Sequence, residues 1–164
     1  MPIAAIFDWI GDTGIATAVR ESTLAYPIIM ALHLTSIAIF GGMILVTDLR
    51  LLNLAMKETP ASDVIAQLRP WKYAGFAIVV ICGLLLFAAK ADKYYSNPYF
   101  LIKIALLLLT GAHALAFRNT VYRSPGGPAP ARARLAAALS LILWLAIMSA
   151  GRWIAYYEAP RLPS

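Results

Sequence analysis

The chain alternates long apolar runs with short polar segments, and four of the runs have the length of a membrane span. Leu24 to Thr47 contains no Asp, Glu, Lys or Arg. About 24 residues at 1.5 Å each make ~36 Å of helix, enough to cross a ~30 Å hydrocarbon core with some tilt. The second run, 73–89, follows Trp71-Lys72-Tyr73, which reads as an interfacial anchor; the third and fourth cover about 98–117 and 135–153. Residues 48–70 read as an aqueous connection with some surface helix at its start. Residues 90–97 hold an Asn-Pro turn, short enough to make spans two and three antiparallel neighbours. Residues 118–134, rich in Pro, Gly and Arg, read as a flexible loop. Ahead of the first span, Ile3, Ile6, Phe7 and Ile10 recur at helical spacing beside Trp9, which predicts a short helix lying on the membrane surface. Gly11–Gly14 is then a turn, with Asp12 or Thr13 capping a second short segment. The expected fold is all-α: an integral membrane four-helix bundle, one domain over 1–164, with a short interfacial N-terminal helix. Asp8 breaks the first apolar run and no basic residue precedes it, so no cleavable signal is expected.

Composition strengthens the membrane reading. The chain is 61% hydrophobic and 13% charged, with a mean hydropathy of +0.73, where soluble domains carry about 25% charged residues. The net charge of +6 is spread between apolar runs without an aromatic stripe, which argues against a nucleic-acid partner and for loop charges that orient the chain. Eight basic residues fall on one side (Arg50, Lys57, Arg69, Lys72, Arg118, Arg123, Arg132, Arg134) and five on the other (Arg20, Lys90, Lys93, Arg152, Arg161). The positive-inside rule then puts both larger loops in the cytoplasm and both termini outside. Cys82 is the one cysteine; no intramolecular disulfide is possible, and its apolar run predicts a buried, inert thiol.

Candidate chemistry centres on the two histidines, His33 in the first span and His113 in the third. An ionisable side chain at lipid depth marks a functional site by default. Two neutral imidazoles on different spans are the minimum for bis-histidine ligation of a b-type haem; the competing reading is a polar contact between helices. His33 lies about ten residues from the outer end of its span and His113 about fifteen, a mismatch of ~8 Å for ligands that need one depth. His33 is therefore the stronger metal ligand and His113 the weaker. Lys103 either snorkels to the interface or turns inward, where with Arg152 and Arg20 it would form a cationic rim suited to haem propionates or another anion. Asp48 and Arg50 read as a local ion pair. The small residues Ala38-xxx-Gly42 and Ala112-xxx-Ala116, with Gly41, Gly75, Gly83, Gly111 and Gly151, read as close-packing surfaces. Met30, His33, Met43 and Cys82 form a weaker, copper-handling set, with Met43 about three turns beyond His33.

YPIIMALHLTSIAIFGG (26–42) with a late arginine, and NPYFLIKIALLLLTGAH (97–113), resemble the superfamily of HemJ-type protoporphyrinogen oxidases and CopD-like membrane proteins. His33 falls on that pattern's first histidine, Arg50 close to its arginine, Lys103 on its lysine and His113 near its second histidine. Met30 stands where HemJ-type proteins carry a basic residue, and the Lys-to-His interval differs; these departures bear on oxidase activity more than on haem. SxxxYPxxxxxH with DLRLL is also similar to an uncharacterised bacterial four-span membrane family. Residues and resemblance together imply haem b in the outer half of the bundle, with His33 as axial ligand and His113 or Lys103 as second partner. The activity implied is electron transfer from a membrane donor such as quinol, or oxidation of a tetrapyrrole. The alternative from another class is a haem-free partner subunit or small-solute permease, with His33, Lys103 and Arg152 as polar contacts or a solute path. So small a bundle is also a candidate homo-oligomer.

Overall fold

The structure is a computed structural model describing residues 3–122 and 129–157, and every regular element among them is helical. In chain order these are α1 (Ile3–Gly11), α2 (Gly14–Glu21), α3 (Ala25–Leu51), α4 (Ala61–Ala89), α5 (Ala91–Tyr95), α6 (Pro98–Tyr122) and α7 (Ala131–Ile154). Helices α3, α4, α6 and α7 are long and apolar enough to cross a membrane. Their outward faces carry exposed large apolar side chains, among them Ile28, Phe76, Leu108 and Leu145, which lipid solvates and water does not. The chain is a multi-pass membrane protein built as a helical bundle.

Helix α3 packs along α4 and α6 along α7, while contact between α3 and α7 joins the two pairs. Among the described residues, α6 has no comparably extended contact with α3 or α4. It turns inward one seam, Lys103, Leu106, Thr110, His113 and Phe117, at the three- and four-residue spacing of a single helix stripe. The rest of its surface from 101 to 118 is exposed.

Local chemistry sets the element ends. Thr13 caps α2: its hydroxyl accepts from the Ala16 N–H at 3.4 Å and donates to the Ile10 carbonyl at 2.8 Å. Helix α3 ends in a left-handed turn at Asn53 (φ 61°), where the Asn53 N–H reaches the Arg50 carbonyl at 3.0 Å and the Leu54 N–H reaches Leu49 at 2.9 Å. This is the double bond of a Schellman cap. Asn97 caps α6, its Oδ1 accepting from the N–H groups of Tyr99 (3.0 Å) and Phe100 (3.3 Å), with Pro98 at the first helical position. Its Nδ2 donates to the Ile154 carbonyl at 3.2 Å and so ties the start of α6 to the end of α7. At this end, the hairpin end, Phe87, Tyr94 and Phe100 stack with centroids 4.8–6.3 Å apart, and Phe7 of α1 meets Phe87 edge-on at 5.5 Å.

The spans outrun their expected bounds, and the largest shift is at the start of the second. The aqueous connection read as far as Pro70 shrinks to 52–60, because α4 begins at Ala61 and runs through Pro70. Ala61 and Ile65 join Leu51, Ala129, Ala133 and Ala137 in a small apolar core at the connection end of the bundle. That packing holds the segment helical despite the hydrogen bond a proline cannot donate. The loop expected over 118–134 lies partly outside the described residues, as do Arg123 and Arg161; Arg118 falls within α6, and Arg132 and Arg134 within α7.

Candidate functional site

His33 lies on the inward stripe of α3, with Ser36, Ile37 and Phe40. Opposite it, α4 presents Gly83, where an added Cβ would stand 3.1 Å from His33 Cε1. The missing side chain is what admits the ring. The Val79 carbonyl of α4 is near, yet Nδ1 is buried without a hydrogen-bond partner. An unpaired buried donor or acceptor costs on the order of 1–3 kcal/mol, a deficit that a ligand or a water would remove.

Lys103 reaches the same layer from α6. Its ammonium points at α7, 3.8 Å from where a Cβ of Gly151 would lie, and its charge acts on His33. Lys103 belongs to the half-buried seam, and so it turns inward; snorkelling along the lipid face would need the opposite side of the helix. Each of the four spans thus gives one residue to a single layer: His33, Gly83, Lys103 and Gly151. Towards the hairpin end from this layer lie Tyr26, whose ring has Lys90 Nζ 4.2 Å from its centroid, and the Phe87–Tyr94–Phe100 stack.

Other residues singled out from the sequence are not brought to this layer. His113 lies ten residues beyond Lys103 on the same seam, ~15 Å along the helix. Its Nε2 faces the Ala136 carbonyl at 3.1 Å and its ring packs on Phe117 at 5.0 Å, so it links α6 to α7 toward the connection end. The depth mismatch is larger than residue counting gives, and His113 does not reach His33. Arg152 follows Gly151 and therefore points about 100° away from it around α7. It is exposed, donates to the Tyr156 hydroxyl and lies 4.6 Å from the centre of that ring. Arg20 donates to the Gly11 carbonyl at 3.0 Å. The three-cation rim is not assembled; Lys103 alone of the three acts on His33. The Met43 methyl stands 3.5 Å from where a Cβ of Gly75 would lie, about two turns from Gly83 along α4, so the copper set does not converge. Among the described residues no group of three or more His, Cys, Asp or Glu could hold a metal ion. Cys82 is buried, as its apolar run predicts.

A second polar group, not anticipated from the sequence, lies toward the connection end. Lys72 sits inside α4 and points inward, donating to Thr47 Oγ1 at 2.6 Å; that hydroxyl donates to the Met43 carbonyl at 2.9 Å. The Asp48 carboxylate lies near Lys72 and accepts a hydrogen bond from Ser140 of α7. The expected Asp48–Arg50 pair does not form, since residues two apart on a helix face different ways. Arg50 instead donates Nε to the Thr59 carbonyl at 2.5 Å and closes the connection onto α3. The missed signal is the stripe Lys72, Gly75, Val79, Gly83, which becomes visible only when α4 is extended back through Pro70.

A family model described as "Family of unknown function (DUF6644)" matches residues 7–157, which include both polar groups. No curated protein and no solved structure matches the chain. The relation to HemJ-type and CopD-like proteins therefore stays a resemblance of short motifs.

Proposed function

From the premise that this chain belongs to the DUF6644 family, we propose that it binds haem b in the bacterial inner membrane, with His33 as axial ligand and Lys103 as partner of a propionate. The observation that carries this reading is the layer in which a half-buried imidazole, its Nδ1 buried without a partner, shares one depth with an ammonium from another span, flanked by two glycines. This donor set fits one axial position and one anionic contact. It offers no second imidazole at that depth, so bis-histidine ligation with His113 is not part of the proposal.

When bound, haem would supply one-electron chemistry, either electron transfer with a membrane donor such as quinol or oxidation of a tetrapyrrole. The residues of the chain supply the setting. Gly83 lets the His33 ring lie against α4 and fixes its orientation. Lys103 places positive charge where a carboxylate would sit. The Phe87–Tyr94–Phe100 stack puts apolar rings between the layer and the hairpin end. With both termini outside, as the loop charges propose, the layer lies in the outer half of the membrane.

The test is an absorption spectrum of detergent-purified protein from haem-replete cells, before and after dithionite. A Soret band that shifts on reduction, disappears in His33→Ala and persists in His113→Ala supports the reading. No Soret band, or one untouched by His33→Ala, overturns it. One observation favours a second reading, a haem-free partner subunit or small-solute permease: polar groups are buried toward both ends of the spans, as a solute path requires. A colourless, monodisperse preparation would select it.

A further inference from the structure

The polar group toward the connection end has features that a structural tie does not need. Asp48 is 6% exposed, and while one face of its carboxylate is served by Ser140, Oδ2 is buried with no hydrogen-bond partner. A tie between three spans would be stronger with both oxygens paired, since an unpaired buried charge is the costliest polar group to hold. Protonation removes that cost and turns Oδ2 into an O–H. The surroundings tolerate either state, because the hydrogen bond of Lys72 goes to Thr47, so the ammonium keeps its partner whether Asp48 is charged or neutral. Among the described residues, the Lys72 cation of α4 and the uncharged Ser140 of α7 act on Asp48; on its own helix Arg50 gives Nε to Thr59 and keeps Nη1 buried without a partner. Asp48 also lies three residues before the end of α3, ~5 Å from the polar 52–60 connection.

We propose that Asp48, framed by Thr47, Lys72 and Ser140, is a proton-exchange site on the connection side of the membrane. Oδ2 accepts a proton from hydronium or a buffer acid arriving at the 52–60 connection. Its O–H bond forms as the donor's breaks, the carboxylate charge is neutralised, and the reverse step returns the proton to water. Intramembrane carboxylates paired with a cation from another helix are the usual stations of proton relays. The site stands apart from the His33 layer and does not depend on haem.

Infrared difference spectroscopy of the full-length protein across a pH titration reads this directly. The expected result is a carbonyl stretch of a protonated carboxylic acid that grows on acidification, shifts in heavy water, and is absent from Asp48→Asn. No such band at any pH where the protein stays folded, or a band that survives in Asp48→Asn, overturns the proposal. Should Asp48→Asn fail to fold, Lys72→Met decides: removing the neighbouring charge displaces the band's midpoint by about 1 pH unit or more. An unmoved midpoint assigns the band to another carboxyl and sinks the site.

Discussion

Gly83 sets the geometry of the His33 layer by lacking a side chain, which makes it the sharpest test at the scale of single residues. In an open helix position, Gly→Ala stabilises by about 1 kcal/mol. Gly111, where an added Cβ would meet nothing within 4 Å, is expected to follow that rule, with Gly111→Ala neutral or stabilising in a thermal melt. Gly83→Ala puts a methyl 3.1 Å from the His33 ring and is expected to lower the melting temperature and any haem absorbance. The loss should vanish in the His33→Ala background, giving a coupling of about 0.5–3 kcal/mol in a double-mutant cycle; additive effects would mean that ring and glycine do not constrain each other. Lys103 makes the complementary case. Holding a charge at lipid depth is costly, so an apolar residue of similar volume relieves the fold of that cost. Lys103→Met should therefore leave the fold intact while weakening haem retention, and a variant that misfolds instead would make Lys103 a structural group.

At the scale of elements, the four spans were legible because a run free of charges and long enough for the hydrocarbon core has few other uses. The start of α4 was not, because Arg69 and Pro70 read as the end of a loop. Only the packing of Ala61 and Ile65 on the cores of α3 and α7 reveals a helix there. That misplaced boundary hid Lys72 and with it the second polar group. The inward direction of Lys103 was half legible: the spacing of Lys103, Thr110 and His113 puts all three on one face, but which face meets protein depends on α7. Depth along the helix separates the two histidines from sequence alone, whereas the outward turn of Arg152 depends on how α7 is rotated in the bundle. The cap of α6 is a checkable case of local chemistry acting across elements. Asn97→Ala removes the acceptor for two α6 N–H groups and the tie to Ile154. It should cost about 1–2 kcal/mol, read as a lower thermal midpoint, while Asn97→Asp keeps the cap and recovers part of the loss.

For the molecule as a whole, the direction in which the bundle crosses the membrane decides which side the His33 layer and Asp48 each face. The loop charges carry that direction, and the structure alters their balance, since Lys72 belongs to the interior and not to a loop. The remaining basic residues still favour the connection side, so both termini and the hairpin end should lie outside. Cysteine accessibility tests this with little background, because the native Cys82 is buried and Cys82→Ala removes it. Ser96 at the hairpin end and Glu58 in the 52–60 connection are both exposed, and neither is basic, so replacing either leaves the orienting charges unchanged. In intact spheroplasts a membrane-impermeant maleimide should label Ser96→Cys at once and Glu58→Cys only after lysis. The opposite pattern would put the His33 layer in the cytoplasmic half and open Asp48 to the outside. The proposed haem site and proton-exchange site would then each face the other compartment.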